Sequence, residues 1–213
     1  MIKTIFFDMD GVLFDTEIFY AQKRYDFFSK YQIEYTWDAC CALAGANSHD
    51  YIPDILKEEG YNDLEIKRLT EEYHTTFRPK GADFYKKLAF DGLEETLKYL
   101  SEKGYQLALV SNSSKNSIDL ALESCSIQNY FSYIVPGDDV KKKKPDPEIY
   151  LKAIQESQCS CKDIVVIEDS TKGIQAAKAA GLRVICKKDL RFHYDQSACW
   201  KTIDDLKNLL EIL

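Results

Sequence analysis

The chain has 213 residues and a formal charge of −7 at pH 7, with 45% hydrophobic and 30% charged residues. That length suits a core domain carrying a smaller insertion, and the composition excludes a disordered chain. The acidic balance argues against nucleic acid as a partner, although a local cation can reverse the sign at one site and admit a phosphorylated ligand. Apolar stretches are strand-sized and interrupted by charge, so neither a signal peptide nor a membrane span is expected, and the expectation is a soluble cytoplasmic protein, monomer or oligomer. Seven cysteines, among them the adjacent Cys40 and Cys41 and a C-x-C at Cys159 and Cys161, show no zinc or redox spacing and read as reduced thiols.

Taken in chain order, Lys3–Phe7 reads as a buried strand. A helix is expected from Asp15 to about Tyr31: Asp15 or Thr16 can cap it, Glu17 favours its N-terminal dipole, and Ile18, Tyr25 and Phe28 have helical spacing. From there to Lys80 no strand emerges, only helical patterns broken by Gly45, Pro53, Gly60 and Pro79. Gly92–Lys103 reads as a helix stopped at Gly104, and Gln106–Val110 as a strand. Ser113–Ser124 reads as a helix, Tyr133–Val135 as a strand, and Pro147–Ser157 as a helix with proline in its first turn. Ile164–Ile167 is a fully apolar strand, Ser170–Ala180 a helix closed by Gly181, Arg183–Cys186 a strand, and Thr202–Ile212 a last helix. Alternating helices and short, continuous apolar strands indicate an α/β fold: a doubly wound, Rossmann-like parallel sheet covered on both faces. The expected core is residues 1–14 and 82–213, with a small helical domain, 15–81, inserted after the first strand.

In such sheets ligands bind at the carboxyl ends of the strands. The first strand ends in Asp8-Met9-Asp10-Gly11, the second in Ser111-Asn112-Ser113, and IVVI in Glu168-Asp169-Ser170; Lys144-Pro145-Asp146-Pro147 precedes a helix. So many acids on one rim repel each other unless a divalent cation sits among them, and hard oxygen ligands favour Mg²⁺. A cation there keeps Asp8 ionised and able to act as a nucleophile, while Lys144 and the Ser111 hydroxyl hold the other oxygens of an anionic group.

These four stretches, D-x-D-G-V, Ser-Asn, K-P-x-P-x-x-Y and E-D-S-x-x-G-I, resemble in order and spacing the motifs of the haloacid dehalogenase superfamily, and most closely its small phosphatases and β-phosphoglucomutases with a helical cap. The resemblance implies Asp8 as the nucleophile that forms an aspartyl-phosphate and Asp10 as the general acid and base. It implies Ser111 as a phosphate-binding hydroxyl with the Asn112 amide nearby, and Lys144 as the neutralising cation. It implies Asp169 as a Mg²⁺ ligand, joined by Asp8 and the main-chain oxygen of Asp10, with Glu168 touching the metal directly or through water. The second aspartate, absent from members that displace halide or cleave phosphonates, implies a phosphate ester as substrate.

Each stretch has a plainer reading. The aspartates can cap a turn, Ser111–Ser113 can be a strand-to-helix turn, Glu168 and Asp169 can be helix N-terminal acids, and Lys144 ends a four-lysine run of solvated surface. Found together in order, they favour catalysis. Glu17 either reaches a leaving group or caps its helix. Most aromatics of the insertion read as its core, with Tyr20 a candidate for substrate contact, and His49, His74, Arg78 and Lys80 read as surface. Three functions follow: a phosphatase for a small phosphorylated metabolite, a phosphoglucomutase-like transferase, or a non-catalytic binding protein. The mutases of this family carry a cap arginine where this chain reads Gly45-Ala46-Asn47-Ser48, with Tyr73 and Tyr20 where they have lysine and histidine, which favours the phosphatase.

Overall fold

The apolar run at the start of the chain forms β1 (Thr4–Phe7), wholly buried, at the middle of a six-stranded sheet. The structure is a computed structural model that describes residues 2–46, 48–76 and 82–213; Asn47, Arg78, Pro79 and Lys80, singled out above, lie outside the described residues. β2 (Gln106–Ser111), β3 (Tyr133–Pro136), β4 (Ile164–Glu168), β5 (Arg183–Lys187) and β6 (Lys201–Ile203) complete the sheet in the order β3-β2-β1-β4-β5-β6. All neighbours pair in parallel, with Phe7 level with Leu109 on one side and Ile167 on the other.

Strand periodicity divides the core into two layers. Ile5, Phe7, Leu107, Leu109, Val165 and Ile167 face one cluster; Phe6, Ala108, Val110, Ile164 and Val166 face the other. A sheet buried on both faces explains why its strands read as unbroken apolar runs. Contacts divide the chain into two units, Met1–Thr16 with Gly81–Leu213, and Glu17–Lys80. The second unit is helical: α1 (Thr16–Lys30) begins at the boundary, followed by α2 (Trp37–Ala42), α3 (Ser48–Glu58) and α4 (Asp63–Thr76). Its own core contains Phe27, Phe28, Ile52, Leu56, Leu69 and Tyr73.

The first unit continues through α5 (Ala82–Leu88), α6 (Leu93–Glu102), α7 (Lys115–Ser124), α8 (Glu148–Ser157) and α9 (Thr171–Ala179). Among the described residues no helix is long and apolar enough to cross a membrane.

Two expectations need correction, and one helix falls where none was expected. Thr202–Ile212 is not one helix: Lys201–Ile203 joins the open edge of β5 as β6, burying Ile203, and only Leu209–Ile212 forms an α-helix, α10. Asp205 and Asn208 stop and restart the chain between them through a capping box, a local alternative to continuous helix. Helix α5 went unforeseen; its Tyr85 is buried and packs edge-on to Phe14. Finally, Cys186 and Cys199 are joined as a disulfide, with Cα atoms 6.0 Å apart, whereas all seven cysteines were expected as thiols. The pairing of β5 with β6 brings the two together across a separation of 13 residues that carries no sequence signature.

Candidate active site

Three parallel strands end side by side at the middle of the sheet. β1 delivers Asp8, β2 delivers Ser111 and β4 delivers Glu168 and Asp169, with Lys144 arriving from the loop before α8. All five are buried. Gly11 turns the chain just past Asp8 with φ of +78°, and a Cβ there would overlap the Asp169 carboxylate, so glycine is required both for the backbone and for the space.

Lys144 ties the ends together. Its ammonium donates to Asp8 Oδ1 at 2.6 Å, to Glu168 Oε1 at 2.8 Å and to the Val110 carbonyl at 2.9 Å, which uses all three of its protons. Burial works to lower its pKa and is outweighed by Asp8 and Glu168, which hold it well above the ordinary lysine value. Burial raises the Asp8 carboxyl above its usual range, with Lys144 opposing and Glu168 and Asp10 adding to the rise. Asp8 therefore depends on a nearby cation for its charge.

Asp10 has separate partners. Thr16 Oγ1 donates to its Oδ1 at 2.6 Å and Ser113 Oγ to its Oδ2 at 2.7 Å. Burial raises the Asp10 carboxyl, and these two hydroxyls pull it back. Neither residue was singled out for this contact by the sequence: Thr16 reads as a helix cap and Ser113 as a turn residue, and only the fold brings Ser113, 103 positions away, onto Asp10.

Two of the expected site side chains are already engaged by the protein. The Asn112 side chain is spent on the main chain of Lys144, accepting from its N–H at 3.0 Å and donating to its carbonyl at 3.4 Å. It braces the lysine loop. Glu168 is also engaged at both oxygens. Oε1 accepts from Lys144 and from the Tyr150 hydroxyl at 3.1 Å, and Oε2 accepts from the N–H groups of Asp169 and Ser170 and from Ser170 Oγ at 3.0, 3.1 and 3.1 Å. Ser111 Oγ accepts from the Ser113 N–H at 3.1 Å, leaving its own proton to donate. Glu17 and Tyr20 belong to the helical unit.

A metal ion suits the donor set. Asp8, Glu168 and Asp169 each offer a carboxylate oxygen, and these lie within 4.8 Å of one another. Two of these buried carboxylates, Asp8 and Glu168, share the Lys144 ammonium, and three hard oxygen donors at that spacing fit a divalent cation. Gln196 donates to the Asp169 carbonyl at 2.6 Å and to the Lys187 carbonyl at 2.9 Å, fixing the backbone that carries Asp169.

The family model of haloacid dehalogenase-like hydrolases matches residues 5–187. A phosphorylated carbohydrates phosphatase of Thermotoga maritima is 31% identical over 186 residues, 86% of this chain and 84% of that protein. CbbY from Rhodobacter sphaeroides, in a mutant form solved with xylulose-1,5-bisphosphate, superposes with a TM-score of 0.73 at 22% identity, covering 98% of this chain and 96% of that one. A β-phosphoglucomutase of Clostridium difficile gives 0.75 at 22% identity, covering 98% and 93%. With a family model spanning nearly all of the sheet and every strand-end acid described above, the chain belongs to the haloacid dehalogenase-like hydrolases and is an enzyme of that family.

Proposed function

We propose that the chain is a Mg²⁺-dependent phosphatase for a small phosphorylated metabolite such as a sugar phosphate, working through an aspartyl-phosphate on Asp8. The observation that carries this reading is the pairing of two acids with separate surroundings: Asp8 sits against the Lys144 ammonium at 2.6 Å, while Asp10 is held by two hydroxyls. The phosphatase of Thermotoga maritima supports the substrate class, through the 31% identity it shares with this chain.

In the first step an Asp8 carboxylate oxygen attacks phosphorus. A new P–O bond forms, the ester P–O bond breaks, and the departing oxygen takes a proton from Asp10. In the second step Asp10 accepts a proton from water as that water attacks the phosphorus, releasing inorganic phosphate and restoring Asp8. Lys144 offsets charge on the phosphoryl oxygens and on Asp8, and the Ser111 hydroxyl donates to the phosphoryl group. Asp8, Asp169 and the main-chain oxygen of Asp10 would hold the metal, with Glu168 bordering it while braced by Lys144 and Tyr150. Bound there, Mg²⁺ supplies positive charge against the phosphoryl oxygens and lets the acids stay ionised together. The helical unit would act as a substrate-selecting cap.

The test is phosphate release from a panel of phosphosugars and nucleotides with purified protein and Mg²⁺. Release from at least one member, lost in chelator and regained with Mg²⁺, is expected. No release from any member, together with conversion of β-glucose 1-phosphate to the 6-phosphate, would replace the phosphatase with a phosphotransferase.

A further inference from the structure

Tyr150 is fully buried in the first turn of α8, three residues after Pro147. Its ring lies parallel to that of Phe6 on β1, with an angle of 8° and centroids 6.5 Å apart. The Lys144 ammonium stands 4.9 Å from the centroid of the same ring. The hydroxyl donates to Glu168 Oε1 at 3.1 Å, the oxygen that also receives Lys144. A tyrosine that only filled this core would be matched by phenylalanine; here the hydroxyl is aimed at the one carboxylate that the lysine shares with Asp8.

Remove that hydroxyl and Oε1 of Glu168 keeps the ammonium alone. The Glu168 carboxylate remains anchored through Oε2 by three donors but is free to pivot about that anchor. Pivoting moves Oε1, and with it the ammonium that lies against Asp8 Oδ1. The effect on Asp8 is a shift in position, with no contact between Tyr150 and the reacting atoms.

We propose that the Tyr150 hydroxyl is a positioning group, which holds Glu168 so that the Lys144 ammonium stays on Asp8 while phosphoryl transfer takes place. This rests on the roles of Asp8 and Lys144 given above. The group acts on the transition state more than on binding, because the ammonium must follow charge as it moves between Asp8 and the phosphoryl oxygens.

The experiment is Tyr150→Phe, which keeps every ring contact, assayed with Mg²⁺ and p-nitrophenyl phosphate beside a melting curve. The expected result is a kcat roughly 10- to 100-fold lower, the usual cost of losing a group that orients a catalytic residue, with KM and melting temperature little changed. An unchanged kcat in the folded variant overturns the proposal. A cycle with Glu168→Gln adds a second criterion: the two losses should not add, and strict additivity would refute a path through Glu168. An independent reading comes from the Lys144 ammonium resonance in ¹⁵N-lysine-labelled protein, assigned by its loss in Lys144→Arg. It should shift or broaden in Tyr150→Phe, and an unmoved resonance would overturn the proposal. Should the wild type release no phosphate from any substrate, the phosphatase reading fails on that result, while the resonance still decides whether Tyr150 sets Lys144.

Discussion

Gly173→Ala sets local preference against the site. Gly173 lies in the first turn of α9 on ordinary helical backbone, where alanine is favoured over glycine by about 1 kcal/mol. The space says the opposite, because a Cβ at this position would overlap the carboxylate of Glu168, which has no exposure and five donors on its two oxygens. The backbone of the helix start is fixed by Ser170, whose hydroxyl accepts from the Gly173 N–H at 3.1 Å, so it is Glu168 that must move. Displacing one member of a buried ion pair costs about 3–5 kcal/mol. Set against the helix gain, the variant should lose about 2–4 kcal/mol, or about 4–16 °C in melting temperature for a chain of this size. Urea unfolding with the slope held common would measure it, and phosphatase activity should fall as Lys144 loses one of its three acceptors. A variant as stable as the wild type, or more stable, would refute the reasoning, because propensity alone would then decide.

Three further outcomes test neighbouring contacts. Lys144→Met leaves Asp8 and Glu168 facing each other without a cation and should destabilise the fold by about 3–5 kcal/mol; an unchanged melting curve would mean the pair contributes nothing. Thr16→Val takes the donor from Asp10 Oδ1, at a cost of about 1–3 kcal/mol for a partly buried carboxylate left short, and should reduce kcat. Equal turnover would remove Thr16 from the site. Alkylation of unfolded, unreduced protein should label five cysteines, and all seven after reduction; seven labelled at the outset would show that Cys186 and Cys199 are not joined.

The strand-end residues were legible because the fold class fixes where they go. Once β1, β2 and β4 are read as neighbouring parallel strands, Asp8, Ser111 and Glu168 must share an edge. What those residues touch was not legible. Asn112 has donors and an acceptor that suit a phosphate as well as a peptide bond, and only the fold shows them spent on Lys144. Thr16, Ser113 and Tyr150 are common residues whose hydroxyls gain meaning from partners 6, 103 and 18 positions away. Strand β6 was missed for a related reason: three residues, two of them exposed, carry almost no apolar alternation, and the open edge of β5 decides their conformation.

The most direct test of the central claim is to trap the intermediate. The protein would be quenched during turnover of p-nitrophenyl phosphate, treated with borohydride, and its N-terminal peptide read by mass spectrometry. An acyl phosphate on Asp8 is reduced to homoserine, so the expected result is homoserine at position 8, absent without substrate and absent in Asp8→Asn. Reduction at Asp10 instead, or none at all while the enzyme turns over, would contradict attack by Asp8.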